Sequence, residues 1–434
     1  MDITKQQDIA EYSLEALKKA GAEKAACRIT GSRKDEFNVE ASGFSLLRTL
    51  FNDELYLKAI SGGRKGVTVV NKPDKESIDR AASDCVALMS SAAPDDSEDI
   101  AGKIENKSFD YSVGGGDMDS LFARTEELLR LLRDEYPKIV IEGLMSDFNS
   151  ARTTFINSNG VEFHDNREYY HLSGSFLAKD RNKSSSFNYY DANLASLDTP
   201  FIDLDMHRSL IEETMKSLDT RPINGKFTGK MIVTPACSDM IWETLLTNFL
   251  SDSSLVMETS RWKDSLGRRV ADPKLTMRAA PLHPQIVAGE RITSDGFESG
   301  DTTFIRDGIL ESFALTLYGA RKTGKPRALN TSGNFEVAAG DTPLVDMIKG
   351  VGRGILLNRF SGGIPGASGD ISGVAKNSFL IENGEVTDAL SETMVSFNIV
   401  EILENIPAIS AERLTNGIHI LPWCCFDGIT ISGK

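Results

Sequence analysis

The amino-acid sequence predicts an α+β protein with two N-terminal sheet-and-helix lobes and a β-rich, curved or barrel-like C-terminal domain. Its 434 residues are enough for two or three domains. In the first half, short segments of alternating polarity lie between amphipathic helical segments. The second half contains many short strand-like segments and many glycines, a pattern typical of a closed or strongly curved sheet.

The first lobe, residues 1–95, is predicted to be a meander between two helices. Ala10, Leu14 and Leu17 recur at helical spacing, and Gly21 ends that helix. Five short strand-like runs follow between residues 24 and 71, separated by the pairs Gly-Ser, Ser-Gly, Asn-Asp and Gly-Gly. The dipeptide at 73–74, Pro-Asp, then predicts the start of a second helix.

Residues 96–116 are acidic and rich in glycine and serine, which predicts a linker to a second lobe at 117–221. Asp117 is expected to cap a helix. Asn159-Gly160 indicates a two-residue hairpin between two strands.

The C-terminal domain is predicted to span residues 222–434. A strand leads into a helix at about 238–250, and glycines are frequent from 350 to 373. The next long amphipathic helix is expected within ETMVSFNIVEILENI, residues 392–406.

Charge and composition exclude several classes of protein. A formal charge of −15 argues against a surface that neutralises phosphates, so no nucleic acid is expected as a ligand. The sequence contains no run of about 18 apolar residues, so no membrane-spanning helix is predicted. The five cysteines fit no disulfide or CxxC pattern, and with no signal peptide the expected location is the cytoplasm.

Histidine and cysteine positions give little evidence of a metal site. The sequence has no HExxH or HExxxH, the spacings that place two imidazoles on one helical face. His164 and His171 lie seven residues apart in a strand region, which predicts opposite faces of a sheet. Cys237 is expected just before a helix, whose dipole could lower the thiol pKa, but no histidine is near in sequence to serve as its base.

Several blocks of the sequence, in order, resemble the TldD/PmbA family over nearly the whole chain. The C-terminal blocks are RPINGKFTGKMIVTP, SDGFESGDTTFIRDGILESFALTLYGARKTGKP, ALNTSGN, ASGDISGVAKNSFLIENGEV and PWCCFDGITISGK. The N-terminal segments FNVEASGFSLLRT and GGRKGVTVV are also similar. The resemblance implies a peptidase system.

In the TldD branch of that family, a helix carries HExxxH and a later cysteine completes a metal site. Alignment through Asp252 places Glu243 at the glutamate of this motif, whereas Trp242 and Thr247 replace its histidines. The later segment PAISAERLTNGIHIL has no cysteine. The resemblance therefore implies that the chain is of the PmbA (TldE) branch and holds no metal and no cofactor. Glu243 matches the glutamate of the motif, but no catalytic residue is assigned.

The same resemblance implies a partner and a substrate. The chain is expected to be the subunit without metal of a heterodimeric metallopeptidase, with zinc in a TldD-like paralogue, and to form a homodimer when isolated. Its substrates are expected to be extended or unfolded peptides. Two loops carry further candidate residues: Asp370 and Ser372 in the Gly-Asp-x-Ser loop, and Thr331 and Asn334 in the Thr-Ser-Gly-Asn loop. These side chains are expected either to anchor their own loop by hydrogen bonds to its backbone or to line the peptide path.

Two alternatives stay open at this stage. The first is an independent metallopeptidase that uses other ligands, among them His164, His171 or Cys237. The second is a protein that binds and modulates DNA gyrase, a role historically attached to the family's name. The high negative charge argues against direct contact with DNA, but a protein–protein effect is compatible with it.

Overall fold

Two β-sheets organise the chain, and each takes its strands from one half of the sequence. The computed structural model describes residues 3–363 and 365–433. The first sheet has the order β3-β2-β1-β5-β6-β4, and β7 and β8 also pair with β6. Its strands are β1 (Lys24–Glu40), β2 (Gly43–Ser61), β3 (Arg64–Val70), β4 (Lys107–Tyr111), β5 (Ile139–Asn157), β6 (Glu162–Asp180), β7 (Lys183–Ser184) and β8 (Asn188–Leu194).

Four helices pack on this sheet. They are α1 (Ile3–Ala20), α2 (Lys75–Ser91), α3 (Met118–Glu135) and α4 (His207–Lys216), with a 3₁₀ turn at Phe201–Asp203. The predicted helix start at 73–74 and the predicted cap at Asp117 are confirmed, because the side chains of Asp74 and Asp117 accept hydrogen bonds from the amides of Ser77 and Ser120. The buried faces of α1 and α2 cover β1 and β2, and those of α3 and α4 cover β5 and β6.

The prediction of five short strands between residues 24 and 71 is wrong, since the chain forms three strands there. Gly31 pairs with Asp53 and Ser32 with Asn52, so two predicted turns face each other inside one long hairpin. The chain reverses at 41–42, beside the predicted Ser-Gly turn, and at the predicted Gly-Gly turn at 62–63, and these four residues have positive φ. Residue types that favour turns therefore do not reverse the chain where hydrogen bonding to the neighbouring strand continues on both sides of them.

The first sheet continues across the boundary predicted between the two N-terminal lobes. Strand β1 pairs with β5 from Ala26 opposite Asn157 to Val39 opposite Leu144. The intervening 96–116 segment contributes β4, which runs parallel to β6. Ile100 is buried in this segment. The division into separate domains stays a prediction, although the strands on the two sides of it share one ladder.

The second sheet has fourteen strands, in the order β13-β12-β11-β14-β22-β10-β15-β18-β19-β9, with β16, β17, β20 and β21 joined beside this path. They are β9 (Thr220–Pro222), β10 (Lys226–Val233), β11 (Met277–Ala279), β12 (Thr302–Arg306), β13 (Ile309–Leu310), β14 (Phe335–Val337), β15 (Arg353–Leu357), β16 (Arg359–Gly362), β17 (Asp370–Lys376), β18 (Phe379–Glu382), β19 (Glu385–Ser391), β20 (Thr393–Asn398), β21 (Ala408–Thr415) and β22 (Ile420–Ser432). The predicted fold class is confirmed.

Short helices accompany the second sheet. They are α5 (Pro235–Leu245), α6 (Asp252–Val256), α7 (Leu317–Thr323), α8 (Leu344–Lys349) and α9 (Ile399–Glu404), and a π-helical turn at Leu246–Leu250 follows α5. Within the described residues, the helices are all too short or too polar to cross a membrane.

The long helix predicted over residues 392–406 is wrong in its first half, which forms β20. Buried Val395 and Phe397 alternate there with more exposed neighbours, the period of a strand. The helix begins only after Asn398, whose side chain accepts hydrogen bonds from the amides of Val400 and Glu401.

Candidate functional site

A cavity of about 500 Å³ lies where the first sheet meets the C-terminal half, and we call it the junction cavity. It is bounded by β8, the start of α4, one face of α5, the β15–β16 connection and the segment around the β21–β22 turn. Its size is that of an ordinary ligand pocket. The lining residues used below are Tyr190, Asp191, Asp205, Cys237, Asp239, Glu243, Asn358, Arg359 and His419.

Helix α5 brings Glu243 to this cavity and turns its neighbour Trp242 away from it. Thr234 is the N-cap and Pro235 the first helical residue, so the helix begins three residues before the predicted Ser238. Trp242 has no exposed surface, and its indole N–H donates to Ser238 Oγ at 3.3 Å. Glu243 lines the cavity, because successive helical residues point about 100° apart.

Thr247 lies in the π-helical turn after α5 and is exposed, and it does not line the cavity. Of the three positions aligned with HExxxH, only Glu243 therefore reaches the site. A buried indole and a solvent-facing hydroxyl do not fit zinc, which takes imidazole, thiolate or carboxylate ligands. Among residues 3–363 and 365–433, no group of three or more His, Cys, Asp or Glu side chains is placed to hold a metal ion.

Burial controls the protonation of several groups in the junction cavity. Burial, with a smaller contribution from Glu243 one helical turn away, raises the pKa of Asp239 to about 6. Burial lowers the pKa of His419 to about 4, so this imidazole is neutral near pH 7. Burial also raises the pKa of Cys237 far above its ordinary value, so the expected lowering by the helix dipole is wrong. The thiol lies inside the first turn of α5 rather than before it.

His164 and His171 occupy separate places on β6. His164 lies 3.1 Å from Thr154 Oγ1 and 3.0 Å from Glu162 Oε1 through its two ring nitrogens. The ring nitrogens of His171 lie 2.9 Å from Asp147 and 3.2 Å from Asp191. Burial alone would lower the pKa of His171, but the two carboxylates outweigh it and raise the pKa to about 9.

Asp370 and Ser372 of the predicted Gly-Asp-x-Ser loop lie in the first residues of strand β17, where they line a second, open groove of about 830 Å³. Asp370 Oδ1 accepts a hydrogen bond from Asn398 Nδ2 at 2.9 Å, which lowers the pKa of this carboxyl group. Ser372 Oγ lies 2.8 Å from Ser396 Oγ. Both side chains are exposed, so they tie neighbouring strands together while facing the groove.

The loop containing Thr331 and Asn334 lies between α7 and β14. Asn334 Nδ2 donates to the carbonyl of Ile418 at 3.3 Å, next to His419 of the junction cavity. Thr331 is half-buried in the same loop. The strongest anchor is Asn330, which sequence reasoning missed. Its buried amide donates to Ser299 Oγ at 2.6 Å and to Glu290 Oε2 at 3.0 Å.

Sequence reasoning also missed Asp239, Tyr190 and Asn358 as parts of one cavity. Asp239 was detectable, because it lies four residues before Glu243 and thus on the same helical face. No local signal marks Tyr190 or Asn358, since they come from different sheets and meet only through the tertiary fold.

Solved structures share this two-sheet arrangement over nearly its whole length. TldE from Thermococcus kodakarensis superposes with a TM-score of 0.83 at 18% identity, covering 98% of this chain and 100% of that one. A protein from Bacteroides thetaiotaomicron, whose name associates it with modulation of DNA gyrase, gives a TM-score of 0.85 at 20% identity, with 99% of both chains covered. These likenesses define the class as a TldE-type fold.

Sequence comparison finds one family model and several relatives. Residues 225–433 match the PmbA/TldA metallopeptidase C-terminal domain. A metalloprotease PmbA homolog of Haemophilus influenzae is 23% identical over 420 residues, covering 92% of this chain and 90% of that protein. Metalloprotease PmbA of Escherichia coli O157:H7 is 28% identical over 167 residues, which span 38% of this chain and 37% of the relative. These findings all support the PmbA/TldE family that the sequence resemblance implies.

Proposed function

We propose that this chain is the subunit without metal of a two-chain metallopeptidase and that it pairs with a TldD-like paralogue carrying the zinc. The observation that carries the proposal is the orientation of α5. Glu243 faces the junction cavity, while Trp242, at an aligned ligand position, is buried in the core and hydrogen-bonded to Ser238.

The chemistry of peptide hydrolysis supports this division of labour. A catalytic zinc site needs about three protein ligands and an open position for water, whose pKa the metal lowers. Glu243 alone offers one carboxylate and neither a Lewis acid nor an activated water. The contribution of this chain is then to hold an extended or unfolded peptide and to complete the partner's site.

Two recesses are suited to the peptide. The junction cavity combines aromatic and aliphatic walls with carboxylates, and the open groove at Asp370 and Ser372 exposes polar groups of β17. We propose that the peptide follows one or both of these recesses and that Thr331 and Asn334 hold the loop beside the cavity.

The outer half of the β1–β2 hairpin is the surface we assign to the partner. Residues 43–52 of β2 are exposed, and within the described chain their outer edge pairs with no strand, since β3 pairs only with 55–61. Leu47 and Phe51 are 68% and 77% exposed on this edge. An unpaired apolar edge invites strand addition by another chain, and a TldD-like paralogue is the occupant that the proposed function requires.

A cytoplasmic location is part of the proposal. The five cysteines are free thiols and all are buried. Cysteines without a disulfide are typical of a reducing compartment, and burial also keeps these thiols from oxidation.

Mixing tests the proposed function. The chain alone should leave an unfolded peptide intact, and addition of a TldD-like paralogue from the same genome should produce cleavage that a chelator abolishes. A paralogue whose HExxxH histidines are replaced should give no cleavage, which serves as the control. Cleavage by this chain alone, or by the paralogue alone at the same rate, would contradict the proposal.

The partner surface has its own test. Leu47→Lys with Phe51→Lys should reduce co-elution with the paralogue in size-exclusion chromatography. Met257→Lys is the matched control, because Met257 is also 68% exposed but lies outside the hairpin. Equal co-elution of both variants would show that the partner binds elsewhere.

A further inference from the structure

The junction cavity carries an excess of negative charge. Among the described residues, its lining includes four carboxylates, Asp191, Asp205, Asp239 and Glu243, but only one permanently charged cation, Arg359. That guanidinium is already engaged, since it stacks on the Phe187 ring at 3.6 Å and donates to the Phe187 carbonyl.

One of the four carboxylates has a charged partner. Asp191 lies 3.2 Å from a ring nitrogen of His171. In the described part of the chain, Asp205, Asp239 and Glu243 form no ion pair with a basic side chain. The raised pKa of Asp239 reflects burial without a compensating cation.

Two residues that line the cavity each have a buried polar atom with no hydrogen-bond partner among the described residues. Asn358 is 2% exposed, and its Oδ1 is unpaired, while its Nδ2 donates to Glu213 Oε2 at 2.5 Å. Tyr190 is 6% exposed, and its hydroxyl is also unpaired. Leaving such atoms unsatisfied destabilises the free protein, so a ligand that donates hydrogen bonds to them would bind more tightly.

The geometry points to a site for an alkylammonium group of a peptide, in which Asp239 and Glu243 provide the charge and Asn358 Oδ1 accepts a hydrogen bond. An ammonium group donates three hydrogen bonds and accepts none, which matches a wall of acceptors. Met206, Leu210, Met240 and Leu414 line the same cavity and suit an aliphatic stem. The inference rests on the proposed function in that the ligand is a peptide, and it adds which group of the peptide this chain recognises.

The test uses the full chain alone and three short labelled peptides of one sequence. The first is N-acetylated with a single lysine, the second is N-acetylated with norleucine in its place, and the third has norleucine and a free N-terminus. Fluorescence anisotropy measures each Kd. At least one amine-bearing peptide should bind about tenfold or more tightly than the neutral peptide, since a hydrogen bond to a charged group is worth about 1.5–3 kcal/mol. The first and third peptides distinguish a lysine side chain from a terminal amine.

Variants locate the binding. Glu243→Gln and Asp239→Asn should each remove most of the preference for the amine. Glu126→Gln, an exposed carboxylate of α3, has the same change of charge and should keep it. Equal affinity for all three peptides, no binding of either amine-bearing peptide, or an unchanged preference in Glu243→Gln would overturn the inference.

These outcomes separate the inference from the proposed function. Amine-selective binding without cleavage after mixing would leave the site in place and refute the two-chain peptidase. Cleavage after mixing, together with equal binding of neutral and amine-bearing peptides, would refute the site alone.

Discussion

Replacing Trp242 by alanine tests whether this position belongs to the core rather than to the cavity. The side chain has no exposed surface. A buried tryptophan covers about 200 Å², which at about 25 cal/mol/Å² corresponds to about 5 kcal/mol, and measured Phe or Trp to Ala substitutions in cores cost about 3–5 kcal/mol. The lost hydrogen bond adds little, because Ser238 Oγ also donates to the Pro235 carbonyl at 3.3 Å. We therefore expect a loss of about 3–5 kcal/mol.

Urea unfolding followed by circular dichroism measures this loss as a lower midpoint. Trp242→Phe keeps most of the volume and should cost about 1–2 kcal/mol. Thr247→Ala is the control at the other aligned ligand position and should change stability by less than about 0.5 kcal/mol, because Thr247 is exposed. A loss below about 1 kcal/mol for Trp242→Ala would refute the assignment of this side chain to the core.

Three further predictions concern the loops and the protonation of buried groups. Gly369→Ala should destabilise the protein by about 1–2 kcal/mol in urea unfolding, because Gly369 has a φ of +84° and an added Cβ would lie 3.2 Å from the Phe249 ring. Gly352→Ala is the control and should be nearly neutral, because an added Cβ there would meet no atom within 4 Å. Asp370→Ala should leave the urea midpoint nearly unchanged, because its hydrogen bond to Asn398 is exposed to solvent; a clearly lower midpoint would show that this segment depends on the carboxylate. Burial raises the pKa of Glu213 to about 7 from an ordinary 4.5, so between these two pH values the folded protein holds a proton on this carboxyl group that the unfolded chain has lost. The free energy of unfolding should therefore fall as pH rises from about 4.5 to 7. Glu213→Gln should flatten that part of the stability profile, and an unchanged profile would contradict the shift.

Local features of the sequence predicted much of the secondary structure. Asp74 and Asp117 cap helices because a short carboxylate reaches the amide three residues ahead, whatever the rest of the fold does. Adjacent residues of a strand point to opposite faces of its sheet, and Cys424 and Cys425 of β22 accordingly pack into two different core clusters.

Features that depend on tertiary pairing were predicted less well. Gly31 and Asn52 read locally as turns, yet each is paired inside the β1–β2 hairpin. Asp252, used to align α5, has a structural role that no local pattern shows. Its carboxylate accepts hydrogen bonds from the backbone amide and the hydroxyl of Thr316, 64 positions later.

The candidate site shows the same limit. Glu243 could be placed from a single helix, but the acceptor atoms around it come from β8 and from the residue after β15. Their approach depends on how the two sheets pack, and no spacing in the sequence encodes that directly. The family resemblance supplied the alignment at α5, and the structure supplied the direction in which each aligned side chain points.

The most direct measurement is the zinc content of each subunit after this chain and a TldD-like paralogue are co-purified, separated and analysed by elemental mass spectrometry. We expect stoichiometric zinc with the paralogue and none retained by this chain, whose aligned ligand positions are Trp242 and Thr247. Stoichiometric zinc retained by this chain in isolation, together with cleavage of an unfolded peptide, would contradict its assignment as the subunit without metal.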